Sequence, residues 1–226
     1  MGNLGDRIKE NYELPSRRYL TRRTPVIIRL DGRAFHTLTA KMKRPYDMGF
    51  IEAMQKTAEY VFKGIQGAKL AYVASDEISI LLTDFDTLQT DGWFRYNQSK
   101  MESISASMAT LAFNKALPNV DGMFDSRAFN VPKEEVVNYF IWRQKDWCRN
   151  SLSMLAEKYF SSKQLLNVSN DGRHELLHSK GVNWANQDPV VKNGTYFWGN
   201  LTTSSSLMPT YEQISMIIDP YLYPED

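Results

Sequence analysis

Apolar residues recur at two spacings along the first 130 positions, and these spacings predict an alternation of strands and helices. Runs rich in β-branched residues are typical of strands, and apolar positions three and four apart are typical of helices. The predicted elements, in chain order, are a strand at 26–30, a helix at about 46–66, strands at about 69–74 and 78–83, a helix at about 97–115 and a short strand at 127–130. The order is βαββαβ.

This order predicts an α+β, ferredoxin-like fold, in which two helices cover one face of an antiparallel sheet. Beyond Pro132 the pattern becomes mainly helical. The predicted elements there are helices over about 132–160, 173–179 and 211–218 and a strand over 190–198. We therefore expect a catalytic domain over residues 1–130 and a mainly helical C-terminal region over 131–226 that packs on it.

Composition narrows the class of protein. The chain has 226 residues, of which 42% are hydrophobic and 23% charged, which is ordinary for a globular protein. A single cysteine, Cys148, cannot form an intramolecular disulfide, and no apolar run approaches the roughly 20 residues of a membrane span. These features predict a cytoplasmic protein without membrane association.

Charge is unevenly distributed although the net charge is only +1. Residues 1–44 contain eleven Lys and Arg residues against four Asp and Glu residues. A basic segment of this kind can hold phosphates, and it can equally be an ordinary solvated surface.

Two acidic motifs carry the most specific chemistry. Asp31-Gly32 ends the first strand, and Asp76-Glu77 lies in the predicted hairpin. Strands one and three are neighbours in a βαββαβ sheet, so the motifs should meet at one edge. Mg²⁺ accepts one or two carboxylates together with substrate phosphates, and the Gly32 carbonyl can approach as a further ligand. Each motif alone is typical of a plain turn, but the pair favours a metal site.

Residues near these motifs suggest phosphate binding. The Arg33–Ala34–Phe35–His36 run follows the first strand directly and could wrap phosphates with backbone N–H groups. Lys100 and Arg44 are candidate triphosphate partners, and no Walker-type P-loop motif occurs.

A competing motif is His174-Glu-Leu-Leu-His178, which has the spacing of a zinc protease helix. The sequence offers no suitable third protein ligand, so we expect neither zinc nor peptidase activity.

Four stretches together resemble a known family. They are VIIRLDGRAFH at 26–36, YVASDEIS at 72–79, Ser99-Lys100 and Trp142-Arg143-Gln144. The chain resembles the tRNA-histidine guanylyltransferase family, particularly its like-protein branch of 3′-to-5′ nucleotide polymerases.

The resemblance implies a polymerase-type palm and a set of site residues. Two Mg²⁺ ions would be held by Asp31, Asp76 and the Gly32 carbonyl, with Glu77 as an acidic neighbour needed for activity. It implies GTP and ATP as substrates, tRNA as partner and a homotetramer. The implied nucleotide contacts are Gly32, Arg33, Ala34, Phe35, His36, Arg44, Ser75 and Lys100.

One departure concerns specificity. Members that guanylate histidine tRNA carry His-Ile-Asn-Asn where this chain has Cys148-Arg149-Asn150-Ser151, a version similar to the like-protein branch. We therefore expect templated repair of tRNA 5′ ends, with Arg149 and Asn150 contacting RNA. The alternatives are a dedicated histidine-tRNA enzyme, a palm-fold nucleotidyl cyclase or signalling-nucleotide synthase, and a non-catalytic RNA-binding module.

Overall fold

The computed structural model describes residues 3–199 and 203–218. Within these residues the chain forms helices α1 to α9 and strands β1 to β6. In chain order they are α1 (Leu4–Ile8), β1 (Val26–Gly32), α2 (Phe35–Leu38), α3 (Met48–Gly64), β2 (Ala68–Ala74), β3 (Glu77–Leu82), α4 (Gln98–Ala116), β4 (Phe124–Asn130), α5 (Lys133–Tyr159), α6 (Ser162–Leu165), α7 (Asn170–Ser179), α8 (Pro189–Asn193), β5 (Thr195–Trp198), β6 (Thr203–Ser205) and α9 (Tyr211–Ile218).

The strands form one antiparallel sheet in the order β4-β1-β3-β2-β5-β6. The first four positions of this order are those of a βαββαβ fold, which confirms the predicted fold class. The C-terminal region then extends the sheet, because β5 pairs with β2.

Side-chain alternation along the strands divides the core into two layers. Ile28 and Leu30 face α3 and α4, in a cluster that includes Met54 of α3 and Phe113 of α4. Ile27 faces the opposite side, where α5 and α9 cover the sheet. Helices therefore lie on both faces, and the second layer comes from the C-terminal region.

One predicted element was wrong in part. The expected strand over 190–198 is divided into α8 and β5. Asp188 caps the helix by accepting the Val190 N–H at 2.8 Å, Pro189 occupies its first turn, and Gly194 ends it at φ 74°. Local capping thus overrides the β-branched pattern of this segment.

No helix among residues 3–199 and 203–218 is both long enough and apolar enough to cross a membrane.

Candidate active site

The two acidic motifs meet at one end of the sheet. Asp31 of β1 lies directly opposite Glu77 of β3 in the antiparallel register. The Gly32 N–H also donates a hydrogen bond to the Asp76 carbonyl at 3.0 Å. The end of β1 and the β2–β3 hairpin are therefore tied together by backbone contacts, as their positions in a βαββαβ sheet predict.

A cavity of about 110 Å³ opens at this junction. Its volume suits a few water-sized groups, such as hydrated cations or phosphate oxygens. The lining residues come from β1, the β2–β3 hairpin and α5: Asp31, Tyr72, Ala74, Ser75, Asp76, Glu77, Arg143, Asp146, Trp147 and Asn150.

The electrostatics of the cavity favour a cation. Burial raises the pKa of Asp76, and the nearby Asp31 carboxylate raises it further, while hydrogen bonds including one from Ser75 and the charge of His36 act in the opposite direction. A cation between Asp31 and Asp76 would relieve their mutual repulsion.

Glu77 is held differently from the two aspartates. Its carboxylate accepts two hydrogen bonds from the Arg143 guanidinium, at 2.6 Å and 2.7 Å, and lies 3.4 Å from Nε of Arg29. Burial raises the pKa of Glu77, and the Arg143 and Arg29 charges counteract this rise. The Arg29 guanidinium also lies 3.8 Å from Asp31, so it faces both carboxylates.

One face of α5 completes the cavity, and sequence reasoning did not assign most of it. Arg143, Asp146, Trp147 and Asn150 follow i, i+3, i+4, i+7 spacing and all line the cavity. The signal was present in the Trp-Arg-Gln motif, which contains Arg143, and in this helical spacing. Asn150 was expected to contact RNA and does line the cavity, whereas Arg149 is exposed and pairs with Asp146.

The loop after β1 is anchored in the core by the buried side chain of Phe35. Phe35 is 2% exposed and packs among Phe50, Phe113 and Phe124, so its side chain lies in the core. A Cβ on Gly32 would lie 2.5 Å from this ring, which explains the glycine. Phe35 can therefore contact a nucleotide only through its backbone.

The backbone of this loop turns sharply. Ala34 adopts a left-handed conformation with φ 56°, and the Arg33 N–H donates to the Met123 carbonyl at 2.8 Å. Within residues 3–199 and 203–218, the amides of Ala34, Phe35 and His36 donate to no protein acceptor. Three donors thus remain for a ligand, together with the exposed side chains of Arg33 and His36.

Neither of the two candidate triphosphate partners lines the cavity. Arg44 is exposed on the segment before α3. Lys100 lies in the first turn of α4, and the neighbouring Gln98 donates to the Ala128 carbonyl at 3.1 Å. Ala128 pairs with Ile28, three residues before Asp31. The triphosphate roles of Lys100 and Arg44 stay predictions.

Part of the basic N-terminal segment binds protein rather than solvent. The Arg22 guanidinium pairs with the buried Asp84 and with Asp91, the latter at 2.7 Å. Arg23 donates to the carbonyls of Thr87 and Leu88 at 2.8 Å and 2.7 Å. These two arginines therefore anchor the segment after β3.

Neither histidine of the zinc-like motif lies near the cavity lining. The His174 ring contacts the Trp184 indole edge-on, with ring centroids 5.8 Å apart. In the described part of the chain, no three or more His, Cys, Asp or Glu side chains form a group that could hold a metal. Mg²⁺ needs only one or two carboxylates, so the Asp31–Asp76 pair still fits its donor preference.

Comparisons with known proteins identify the family. Residues 5–132 match the family model described as Thg1, tRNAHis guanylyltransferase. A solved bacterial tRNA(His) guanylyltransferase (Thg1)-like protein in complex with ATP is 38% identical, with a TM-score of 0.89 over 98% of this chain and 100% of that one. A structure described in the same words, but in complex with GTP, is 37% identical, with a TM-score of 0.82 over 97% of this chain and 99% of that one.

A curated relative agrees with the solved structures. The tRNA(His) guanylyltransferase of Schizosaccharomyces pombe is 28% identical over 193 residues, which are 76% of this chain and 72% of the relative. The chain thus has the acidic junction at the end of β1, the fold of these relatives, and a family-model match over more than half of its length. The chain belongs to the tRNAHis guanylyltransferase family and is a nucleotidyltransferase.

Proposed function

We propose that this enzyme adds nucleotides, with GTP preferred, to the 5′ end of tRNA in the 3′-to-5′ direction, using Mg²⁺. The observation that carries the proposal is that Asp31 and Asp76 line one small cavity at the end of the sheet, with Gly32 hydrogen-bonded to Asp76 beside it. The related bacterial proteins solved with ATP and with GTP support nucleoside triphosphates as substrates.

The chemistry requires an activated 5′ end. A 5′-monophosphate is a poor electrophile, because it has no good leaving group. We propose that its oxygen first attacks the α-phosphate of ATP, which releases pyrophosphate and leaves a 5′–5′ linked adenylate. The 3′-hydroxyl of GTP then attacks the tRNA 5′-phosphate, and AMP departs. A 5′-triphosphate end would skip the first step and release pyrophosphate.

Asp31, Asp76 and the Gly32 carbonyl would hold the two Mg²⁺ ions. When bound, these ions lower the pKa of the attacking hydroxyl and neutralise charge on the leaving phosphate. The protein supplies the fixed geometry, because Asp31 lies on β1 and Asp76 lies in the turn that leads into β3, the strand paired with β1. The hydroxyl of Ser75, which acts to lower the pKa of the Asp76 carboxyl group, would help to orient that ligand.

The loop after β1 would hold the nucleotide. The free amides of Ala34, Phe35 and His36 and the side chains of Arg33 and His36 offer donors to phosphate oxygens. We assign Arg44 and Lys100 to the triphosphate tail, which can extend several ångströms from the reacting phosphate.

The face of α5 would receive the RNA end. Asn150 lines the cavity, and exposed Arg149 lies next to it on the same helix. Since the histidine-tRNA signature is replaced by Cys148-Arg149-Asn150-Ser151, we propose that the incoming base is selected by pairing with the 3′ strand of the acceptor stem. The enzyme would then repair truncated 5′ ends.

The test is incorporation of labelled GTP with Mg²⁺ into intact and 5′-truncated tRNAs. We expect addition to several truncated tRNAs when the opposing base is C, little addition when it is U, and none once the acceptor stem is full. RNA-independent formation of a cyclic product would identify a cyclase, and RNA binding without transfer would identify a binding module.

The second candidate is a dedicated histidine-tRNA enzyme, which the name of the Schizosaccharomyces pombe relative favours. Guanylate added equally opposite C and U, and only to tRNA with the histidine anticodon, would establish that function instead.

A further inference from the structure

The carboxylate of Glu77 is already occupied by protein donors. Both of its oxygens accept from Arg143, and Nε of Arg29 and the Ser79 hydroxyl lie 3.4 Å and 3.3 Å from it. Only 13% of the Glu77 side chain and 14% of the Arg143 side chain are exposed, so water screens this pair weakly. A two-point guanidinium–carboxylate pair also fixes the orientation of both groups.

This environment is unfavourable for direct metal binding by Glu77. A metal-ligating carboxylate must present oxygen lone pairs to the cation, and here the guanidinium groups take those positions. Two positive charges within 3.4 Å would also repel a divalent ion. Asp76, the next residue in the chain, has no such cationic pair among the described residues.

The Glu77–Arg143 pair lies next to the turn that carries Asp76. Glu77 is the first residue of β3 and follows the two-residue turn of Ser75 and Asp76. The Gly32–Asp76 hydrogen bond ties this turn to β1, and the Arg143 pair ties it to α5. Because one attachment is at the Asp76 carbonyl and the other is at the adjacent Glu77, the position of the Asp76 carboxylate depends on both.

We infer that Glu77 and Arg143 form a positioning pair, which holds Asp76 in place for metal binding while Glu77 itself is not a metal ligand. The inference rests on the proposed function of Asp31 and Asp76 as ligands. Arg143 lies in α5, 66 residues after Glu77 in the chain. The inference therefore gives a role in the site to a residue that is distant from the hairpin in sequence.

The experiment is a double-mutant cycle read by metal binding rather than by activity. Mn²⁺ replaces Mg²⁺, and free Mn²⁺ is measured by electron paramagnetic resonance on the full chain. The variants are Glu77→Gln, Arg143→Gln and the double variant, with Asp76→Asn as the direct-ligand reference. Lys145→Gln is the matched control, because this lysine lies on the same helix, is exposed and does not line the cavity.

We expect each single variant of the pair to weaken Mn²⁺ binding about tenfold, as loss of a partner of a metal ligand typically does. The double variant should be no weaker than either single variant, because both remove the same attachment. Asp76→Asn should lose more, and Lys145→Gln should match the wild type. Arg143→Lys keeps the charge without the two-point geometry, so it should bind Mn²⁺ between the wild type and Arg143→Gln.

Other results would overturn the inference. If Glu77→Gln lost as much binding as Asp76→Asn while Arg143→Gln lost none, Glu77 would be a ligand. Additive losses in the double variant would also reject a shared attachment. A wild type that binds no Mn²⁺ would overturn the inference too, because there would be no metal site for the pair to position. If Arg143→Gln does not fold, Arg143→Lys takes its place in the cycle under the same criterion. A wild type that binds Mn²⁺ but transfers no nucleotide would reject the proposed function alone.

Discussion

Ser75 has a backbone conformation that glycine would adopt more easily. Its φ is 54°, in the left-handed region, where a Cβ is unfavourable. We expect Ser75→Gly to be more stable than Ser75→Ala by about 1 kcal/mol, as urea unfolding would measure. Both variants lack the hydroxyl that interacts with Asp76, so both should lose nucleotide addition to a similar degree. Equal stabilities of the two variants would contradict the backbone argument.

Asp31 and Asp76 should be indispensable for activity. We expect Asp31→Ala and Asp76→Ala each to reduce nucleotide addition by more than about a hundredfold, because even the partners of metal ligands often contribute 10–100-fold. Circular dichroism should show that both variants fold. Asp125→Ala is the matched control, since Asp125 lies opposite Asp31 on β4, is 54% exposed and does not line the cavity. Near-normal turnover in either site variant would reject the assignment.

The sequence predicted that the two acidic motifs meet, but not that Arg143 pairs with Glu77. Asp31 lies at the end of β1 and Asp76 in the turn before β3, and the βαββαβ order makes these two strands neighbours. Arg143 reaches Glu77 across 66 residues, and that contact depends on how α5 lies over the sheet. No local spacing encodes this packing, so the pair could be found only in three dimensions.

At the scale of elements, an ion pair with a buried carboxylate joins the N-terminal segment to the residues that follow β3. The Asp84 side chain is fully buried, pairs with Arg22 and accepts the Arg23 N–H at 2.9 Å. We expect Asp84→Ala to lower the free energy of unfolding by about 1.5–3 kcal/mol, because it removes a buried, charged acceptor of hydrogen bonds from Arg22 and Arg23. Asp91→Ala is the control: Asp91 pairs with the same arginine but is 52% exposed, so its loss should cost under about 1 kcal/mol. Similar losses in urea unfolding would refute the difference.

The bounds of the helices and strands show which elements the hydrophobic pattern of the sequence is enough to predict. The long amphipathic helices α3 and α5 and the strands of the hairpin lie close to their predicted positions, because periodicity over many residues is a strong signal. β4 begins at Phe124, earlier than predicted, because polar residues such as Asp125 and Arg127 are tolerated on an edge strand. Polar residues are tolerated in a strand when it lies at the edge of the sheet, and the sequence alone does not show which strands lie there.

At the scale of the molecule, the proposed grip on tRNA should depend on salt and on only some of the basic residues. Within the described residues, Arg18, Lys43 and Arg44 have no ion-pair partner, whereas Arg23 donates to Thr87 and Leu88. We expect tRNA affinity to fall as KCl rises, and Arg18→Ala and Lys43→Ala each to reduce the log–log slope by about one. Arg23→Ala should leave the slope unchanged. Equal slopes for all three variants would reject this distinction between basic residues that bind tRNA phosphates and those that bind protein groups.

The pairing of β5 with β2 bears on how much of the chain can fold by itself. The match to the family model ends at residue 132, yet backbone hydrogen bonds of Leu70–Val73 are completed by residues 195–198. A fragment cut at 132 would expose that strand edge and the apolar face that α5 covers, and such edges promote aggregation. We therefore expect the fragment to be insoluble and the full chain to unfold in a single calorimetric transition. In evolutionary terms, we expect residues 5–132 to be exchanged between proteins only together with a strand that completes the edge of β2.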